Sequence, residues 1–458
     1  MLTAVDPSSG KTVREVQPAG SEAVEKILAN ASAARETWRK TDFAARARVL
    51  EAVAGLMRKR VDELAALMTE EMGKPVREAR GEVEKSAWCA EHFAREAESY
   101  LQPQVIESDA SKSYVQYLPL GTVLGILPWN APFWLAFRFF APALMAGNTC
   151  VMKHDPHVPG CAAAIADLFE QAGAPSHIMQ NLPIETPAVE AVIRDRRIHA
   201  VSFTGSEKGG SAVASIAGSE IKSSVLELGG SDPCLVFADA DLEKAADVIT
   251  LSRIINAGQS CIAAKRIIVE ASVYDRMVAL LEERLGRLKM GDPRDESTDV
   301  GPVARADLRD NLHRQVTETV SAGARCLLGG VMPGGDGFYY PVTLPSPDVT
   351  EDMTAGCEET FGPVAVVMKA KDEADAMRIA NNTPYGLAAG IWTSTERGEA
   401  LAAEIEAGQV AVNGIVKTDP RLPSGGIKRS GIGRELGPHG IHEFVNAQQV
   451  WIGPVKTS

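Results

Sequence analysis

The sequence predicts an α/β protein with two parallel-sheet domains, on three grounds: the chain is too long for one core, it opens with helices, and it then alternates strand and helix in two successive series. Its 458 residues, 45% of them hydrophobic, exceed what one compact core holds. In the opening stretch Ser21 can cap a helix to about Lys40. Val49, Val53, Leu56, Leu64 and Leu67 then recur at helical spacing until Gly73-Lys74-Pro75 stops them, and a third helix is expected from Val76 to about Tyr100. Ser113 to Leu118 alternates like an exposed strand, and Thr122 to Leu127 is a short apolar one. Strands are expected at Thr149 to Met152, Ile178 to Leu182, Ile198 to Phe203 and Ser223 to Leu228, with helices such as Gly160 to Gln171 and Lys208 to Ala217 between them. The second series places strands near Cys234 to Phe237, Arg266 to Val269, Arg325 to Leu328 and Val364 to Met368, and helices near Leu242 to Ile255 and Tyr274 to Leu288. Residues 447–458 read as a final strand with a short tail.

Composition excludes several functions. A formal net charge of -13 argues against a surface that tracks nucleic-acid phosphates. The longest apolar run, Ala131 to Gly147, is broken by Arg138 and Pro142, and the N-terminus lacks a basic stretch leading into an apolar one, so neither membrane insertion nor export is expected. Seven cysteines without CxxC pairing suggest neither a disulfide frame nor a bound metal, and a cytoplasmic location is the simplest.

In an open parallel sheet, ligands bind beyond the carboxyl ends of strands. Four such places stand out: Pro128-Trp129-Asn130, Lys153, Thr204-Gly205-Ser206, and Glu227-Leu228-Gly229-Gly230. The Gly205-Ser206 turn opens a helix, where N–H groups and the helix dipole suit an anion, although Ser206 is equally an N-cap. Lys153 can hold ribose hydroxyls or be a plain surface lysine; Asn130 can close a turn or aim its amide at an anionic oxygen. Glu227 faces a Gly-Gly pair that permits close approach by a ligand. Cys261, in Gly258-Gln259-Ser260-Cys261, lies in a loop where a thiolate can be reached and stabilised, unlike the other cysteines. No GxGxxG fingerprint is present, which disfavours an ordinary Rossmann dehydrogenase.

These motifs, with Glu359-Thr360-Phe361-Gly362-Pro363 and Gly425-Gly426-Ile427-Lys428-Arg429-Ser430-Gly431, stand in the order and at the spacings of one family, and the chain resembles an aldehyde dehydrogenase over essentially its whole length. Lys153-His154, Gly229-Gly230-Ser231-Asp232-Pro233 and Gly433-Arg434-Glu435-Leu436 resemble the bacterial succinate-semialdehyde dehydrogenase branch. The resemblance implies Cys261 as nucleophile, Asn130 and the Cys261 N–H as oxyanion donors, and Glu227 as the base that activates water for thioester hydrolysis. It further implies that Lys153 holds the adenosine ribose and that Glu359 with Phe361 surrounds the nicotinamide ribose. Trp129, Gly205 and Ser206 would line the adenosine and pyrophosphate part of an NAD or NADP site. The implied architecture is a modified Rossmann cofactor domain (1–100 and 120–228), a catalytic domain (229–425) and a small β oligomerisation flap with the C-terminal segment (101–119 and 426–458), assembled as a homodimer or homotetramer.

Three departures from the family pattern matter. Pro156 replaces the glutamate that NAD-preferring members often carry three residues after the lysine, so cofactor preference stays open, with Asp155 weighing against a 2'-phosphate. Pro423-Ser424-Gly425-Gly426 lacks the usual aromatic residue of the substrate funnel, and Ile255 stands where semialdehyde-oxidising members often have arginine; Arg253, two residues away, is a weaker substitute. Arg138, in an apolar run, needs either an internal acid or an anionic ligand, and it matches the arginine that holds the distal carboxylate of a small aldehyde such as succinate semialdehyde. Lys417 and Thr418 offer further charge or a hydroxyl nearby. The competing readings are a related semialdehyde or broad aliphatic aldehyde dehydrogenase, a CoA-acylating enzyme, and a non-catalytic binding or structural relative of the fold.

Overall fold

The computed structural model describes residues 1–453. Two parallel sheets form its centre. One has six strands in the order Gly431–Ile432, Ser223–Glu227, Ile198–Thr204, Thr122–Leu127, Thr149–His154 and Met179–Asn181, parallel throughout except at Gly431–Ile432. The other has five parallel strands, Val366–Ala370, Arg266–Glu270, Pro233–Val236, Ala388–Trp392 and Gln409–Val412. Thr122–Leu127 and Thr149–His154 are buried at every residue, because helices cover both faces; this is why they read as continuous apolar runs rather than as alternation.

Most expected elements form with ends shifted by a residue or two, among them helices Val76–Tyr100, Pro159–Gln171, Glu207–Ser219, Leu242–Ile254 and Tyr274–Gly286. Three differences stand out. The opening stretch is not all helix: Leu2–Asp6 and Lys11–Val16 make a two-stranded hairpin ahead of Ser21–Trp38. Cys326–Leu328 joins neither large sheet, pairing antiparallel with Leu344–Pro345. Its place in the five-stranded sheet is taken by strands the sequence reading missed, Ala388–Trp392 and Gln409–Val412, of which the first is a fully buried mixture of Ala, Gly, Ile and Trp without alternation.

Lys112–Pro119 pairs along its length with Val445–Ile452, and Gln104–Val105 completes a three-stranded antiparallel sheet. The rest of the expected final tail, residues 454–458, lies outside the described residues. Gly431–Ile432, in the segment expected to go with the flap, instead adds an edge to the six-stranded sheet beside Glu227. The apolar run of Ala131 to Gly147 becomes helix Pro132–Met145, buried at every residue. Among the described residues no helix is long and apolar enough to cross a membrane.

Candidate active site

The helix Pro132–Met145 starts without a cap of its own, since Ala131 offers no side-chain acceptor. Glu82, from helix Val76–Tyr100, supplies it: its Oε1 accepts from the N–H groups of Phe133 (2.9 Å) and Trp134 (3.1 Å). Its other oxygen pairs with Lys74, whose ammonium also donates to the Asn130 carbonyl at 3.0 Å. The Asn130 loop is thereby fixed from behind by residues that the sequence showed only as a helix stop and a charged helix face. Asn130 Nδ2 donates to the Gln259 carbonyl at 3.1 Å, which brings this loop against the segment leading to Cys261 and leaves its second N–H available.

That segment is bent hard. Asn256, Ala257 and Gly258 all have left-handed backbones (φ 56°, 52° and 75°), unfavourable for the first two and held by surrounding bonds. Asn256 Nδ2 donates to the carbonyls of Asn130 (2.8 Å) and Gln259 (3.2 Å), and its N–H donates to Glu78 at 2.6 Å. Gly258 is obligatory by space as well as by φ, since a Cβ there would stand 2.2 Å from the Gly362 carbonyl oxygen. The turn leaves Cys261 half-buried, and its backbone N–H meets no protein acceptor among the described residues. Surrounding protein withdraws solvent and pushes the thiol up to about 11, while Lys265 and then Arg138 oppose that rise. Lys265 is buried, donates to the Cys261 carbonyl at 2.5 Å and lies 3.3 Å from Glu359 Oε1. The sequence reading missed it.

Glu227 ends strand Ser223–Glu227 and is buried, with Oε1 unpartnered and Oε2 2.9 Å from Arg138 Nη2. Arg138 Nη2 also lies 2.6 Å from Glu435 Oε2. Burial raises the Glu227 carboxyl above its ordinary range; Arg138 opposes this and Glu435 adds to it. Arg138 thus has internal partners in this structure. It is fully enclosed and its partners are two internal acids, the alternative that its apolar surroundings also allowed, because Glu435 arrives from a distant segment that no local reading could place. Arg253 is fully buried and donates to the carbonyls of Gly258 (2.8 Å), Thr360 (3.2 Å) and Gly362, fastening the Cys261 turn to the Glu359 segment.

The residues expected around a nucleotide also assemble. Trp129 and Phe361 meet edge to face with centroids 5.8 Å apart, and Arg305 lies over Trp129. Glu359 Oε1 accepts from the Gly230 N–H at 3.1 Å; a Cβ at Gly229 would fall 2.3 Å from its Oε2, so the glycine pair permits that approach. Ser206 caps helix Glu207–Ser219, accepting from the Gly209 N–H at 3.2 Å, and Gly205 precedes it. A nucleotide fits this wall on three observations. The Lys153 ammonium has neither ion pair nor hydrogen bond among the described residues, the buried Thr204 hydroxyl has no partner, and a helix N-terminus opens beside them. Asp155 is already engaged by His157 (Nδ1 at 2.7 Å and N–H at 2.9 Å), which partly offsets its charge beside Lys153.

Two parallel sheets carry a half-buried thiol in the loop before strand Arg266–Glu270, an amide hydrogen-bonded to that loop, and an acid and a lysine buried at strand ends. The aldehyde dehydrogenase family model matches residues 1–450, and the chain belongs to that family. It is 45% identical over 457 residues to the succinate-semialdehyde dehydrogenase [NADP(+)] 1 of Mycobacterium ulcerans (strain Agy99), covering 99% of this chain and 100% of that one. It is also 45% identical over 452 residues to a probable succinate-semialdehyde dehydrogenase [NADP(+)] of Synechocystis, covering 98% and 99%. Among solved structures, the succinic semialdehyde dehydrogenase of Streptococcus pyogenes in complex with NADP+ superposes with TM-score 0.96 at 34% identity, over 99% of this chain and 100% of that one. The NAD-dependent aldehyde dehydrogenase of Sinorhizobium meliloti gives TM-score 0.96 at 34% identity, over 100% and 92%. The fold is thus the family's α/β fold.

Proposed function

We propose that this protein oxidises succinate semialdehyde to succinate with NADP or NAD, through a thioester on Cys261. The observation that carries the reading is the hydrogen bond from Asn130 to the Gln259 carbonyl, two residues before Cys261, with the buried Glu227 charge acting on the same thiol, in a chain whose named relatives are succinate-semialdehyde dehydrogenases. In this reading the Cys261 thiolate attacks the aldehyde carbonyl, and the new oxyanion is held by the free N–H of Asn130 and the backbone N–H of Cys261. The chemistry that a bound nicotinamide dinucleotide supplies is acceptance of the hydride that converts the thiohemiacetal to a thioester. Lys153, Trp129, Gly205 and Ser206 would hold its adenosine side, and Glu359 and Phe361 its nicotinamide side. Water then attacks the thioester while Glu227 takes its proton, for which a carboxyl raised by burial is suited. Glu227 must first leave Arg138, and its unpartnered Oε1 and the neighbouring Gly425, which has no Cβ to meet it, give it room to turn.

The six-stranded unit is assigned to cofactor binding and the five-stranded unit to the nucleophile. Exposed Val105, Ile106, Trp451 and Ile452 on the three-stranded sheet support pairing between subunits in a homodimer or homotetramer. Seven free thiols fit a reducing cytoplasm. An assay of reduced cofactor crossing NAD and NADP with succinate semialdehyde and two uncharged aldehydes tests the reading. Turnover of the charged aldehyde ten-fold or more better in kcat/KM, with succinate formed in the absence of CoA, is expected; no turnover of any aldehyde would overturn it.

A further inference from the structure

Lys265 stands between two groups to which the proposed function gives different tasks, the nucleophile and the acid on the nicotinamide side. It is buried, in the stretch that joins Cys261 to strand Arg266–Glu270, and its main chain is fixed on both flanks. Its N–H donates to the Asp232 carbonyl at 3.2 Å, and its own carbonyl accepts from the Val366 N–H at 3.3 Å. The side chain is thereby led to one place. Its ammonium donates to the Cys261 carbonyl at 2.5 Å and stands 3.3 Å from Glu359 Oε1, and among the described residues it is the cation within ion-pair distance of Glu359. The Gly229-Gly230 pair is shaped around both ends of this bridge. A Cβ at Gly229 would fall 2.3 Å from Glu359 Oε2, one at Gly230 would fall 3.3 Å from the Cys261 carbonyl oxygen, and the Gly230 N–H holds Glu359 Oε1 at 3.1 Å. Glu359 joins the bridge through Oε1 and its side chain is 20% exposed, so it can meet a ligand without leaving Lys265.

We infer that Lys265 is a positioning residue: it ties the main chain of the nucleophile to the Glu359 carboxylate, and so sets where the nicotinamide half of a bound dinucleotide lies relative to the Cys261 sulfur. Hydride passes only between centres held close and aligned, and a displacement of about 1 Å costs about a hundredfold in rate. The sheet alone does not secure that distance. Arg266 and Val366 are paired in register, but Cys261 and Glu359 lie in the loops ahead of their two strands, where no ladder bond reaches. An ammonium with three donors can hold an acid and a carbonyl at once, which closes the gap between those loops. A lysine kept only as counter-ion to the buried Asp232 would need no bond to the Cys261 carbonyl, and the two roles differ in what they predict.

The inference rests on the roles proposed for Cys261 and Glu359, and the test keeps the two apart. Lys265→Met, Glu359→Gln and the double variant are compared with the parent in two measurements. The first is binding, followed by protein fluorescence, of whichever of NADP and NAD binds more tightly and of its adenosine half alone (2',5'-ADP or ADP). The second is the single-turnover rate of reduced cofactor with an aldehyde carrying hydrogen or deuterium at the carbon oxidised. Each single variant is expected to weaken the whole dinucleotide about three- to ten-fold and its adenosine half less than about twofold, with no further loss in the double variant, because either change opens the same bridge. The single-turnover rate should fall about ten- to a hundred-fold, with a larger deuterium isotope effect. Losses that multiply in the double variant overturn the inference, as does equal weakening of the dinucleotide and its half, or a Lys265→Met protein with the parent's affinity, rate and isotope effect. A parent that binds the dinucleotide but oxidises no aldehyde overturns the proposed function instead, and the binding cycle still decides on the bridge. Should Lys265→Met fail to fold, Lys265→Gln, whose amide can donate to the Cys261 carbonyl but brings no charge to Glu359, takes its place in the same cycle under the same criteria.

Discussion

The two walls of the cleft are built on different principles. On the six-stranded side, charged side chains meet charged side chains: Arg138 lies between Glu227 and Glu435, and Lys74 pairs with Glu82. On the five-stranded side, buried cations meet backbone. Arg253 holds three carbonyls, Arg266 donates to the carbonyls of Ser231 (2.8 Å), Ile379 (2.9 Å) and Ala380 (2.9 Å), and Lys265 holds the carbonyl of Cys261 itself, with Glu359 as its acidic neighbour at 3.3 Å. An ion pair stores a charge that can be released by movement, whereas a cation bound to carbonyls fixes the path of the chain. The first wall therefore suits a carboxylate that must turn to work, and the second suits a thiol that must stay where the left-handed turn puts it.

The sharpest way to break this contrast is at its two chemical groups. Cys261→Ser is expected to lower kcat about 10⁴-fold or more, with the Tm nearly unchanged, because the serine hydroxyl is a far weaker nucleophile; turnover at the parent rate would end the account. Glu227→Gln should lower steady-state turnover about 10²- to 10⁴-fold while leaving a single-turnover burst of reduced cofactor, the mark of a thioester that forms but is not hydrolysed. Loss of the burst along with turnover would place Glu227 earlier in the reaction.

The contrast between the two arginines is sharpened by stability. Arg138→Met leaves two buried carboxylates facing one another and should cost about 3–5 kcal/mol at neutral pH. Because protonation relieves that repulsion, the cost should shrink as pH falls toward 5. Arg253→Met leaves neutral carbonyls behind, at a cost of about 1–3 kcal/mol that should barely change with pH. Denaturant titrations of both variants at pH 5 and 7.5 check this, and a parallel pH response would erase the distinction. The smallest expected effect concerns the thiol. Burial pushes Cys261 up to about 11, so its alkylation by iodoacetamide in the absence of ligands should still rise about tenfold per pH unit from 8 to 10 rather than level off near 9. Lys265→Met, which removes the largest opposing charge, should slow alkylation further at each pH.

How much was legible follows the same division. The apolar strands, the helix Val76–Tyr100 and the site motifs were readable because each is a local run in which period or turn chemistry repeats over a few residues. The opening hairpin was not, since two short strands carry too little alternation to outweigh the helices after them. Nor were Lys74, Glu82 and Lys265, whose contacts with the Asn130 loop, its helix and Glu359 lie far along the chain and which locally look like ordinary charges on helices and loops.

By itself the sequence determined the α/β class and the family, and it named the thiol, amide and carboxylate proposed for the chemistry, because those follow from short ordered motifs and from the chemistry each residue type permits. Only the tertiary structure decided who neutralises whom. The sequence left Arg138 either an internal acid or an anionic ligand as partner, and Glu435, across 296 residues of intervening chain, proved to be such an acid. Charge pairing is a property of distance in space, and distance along the chain does not fix it.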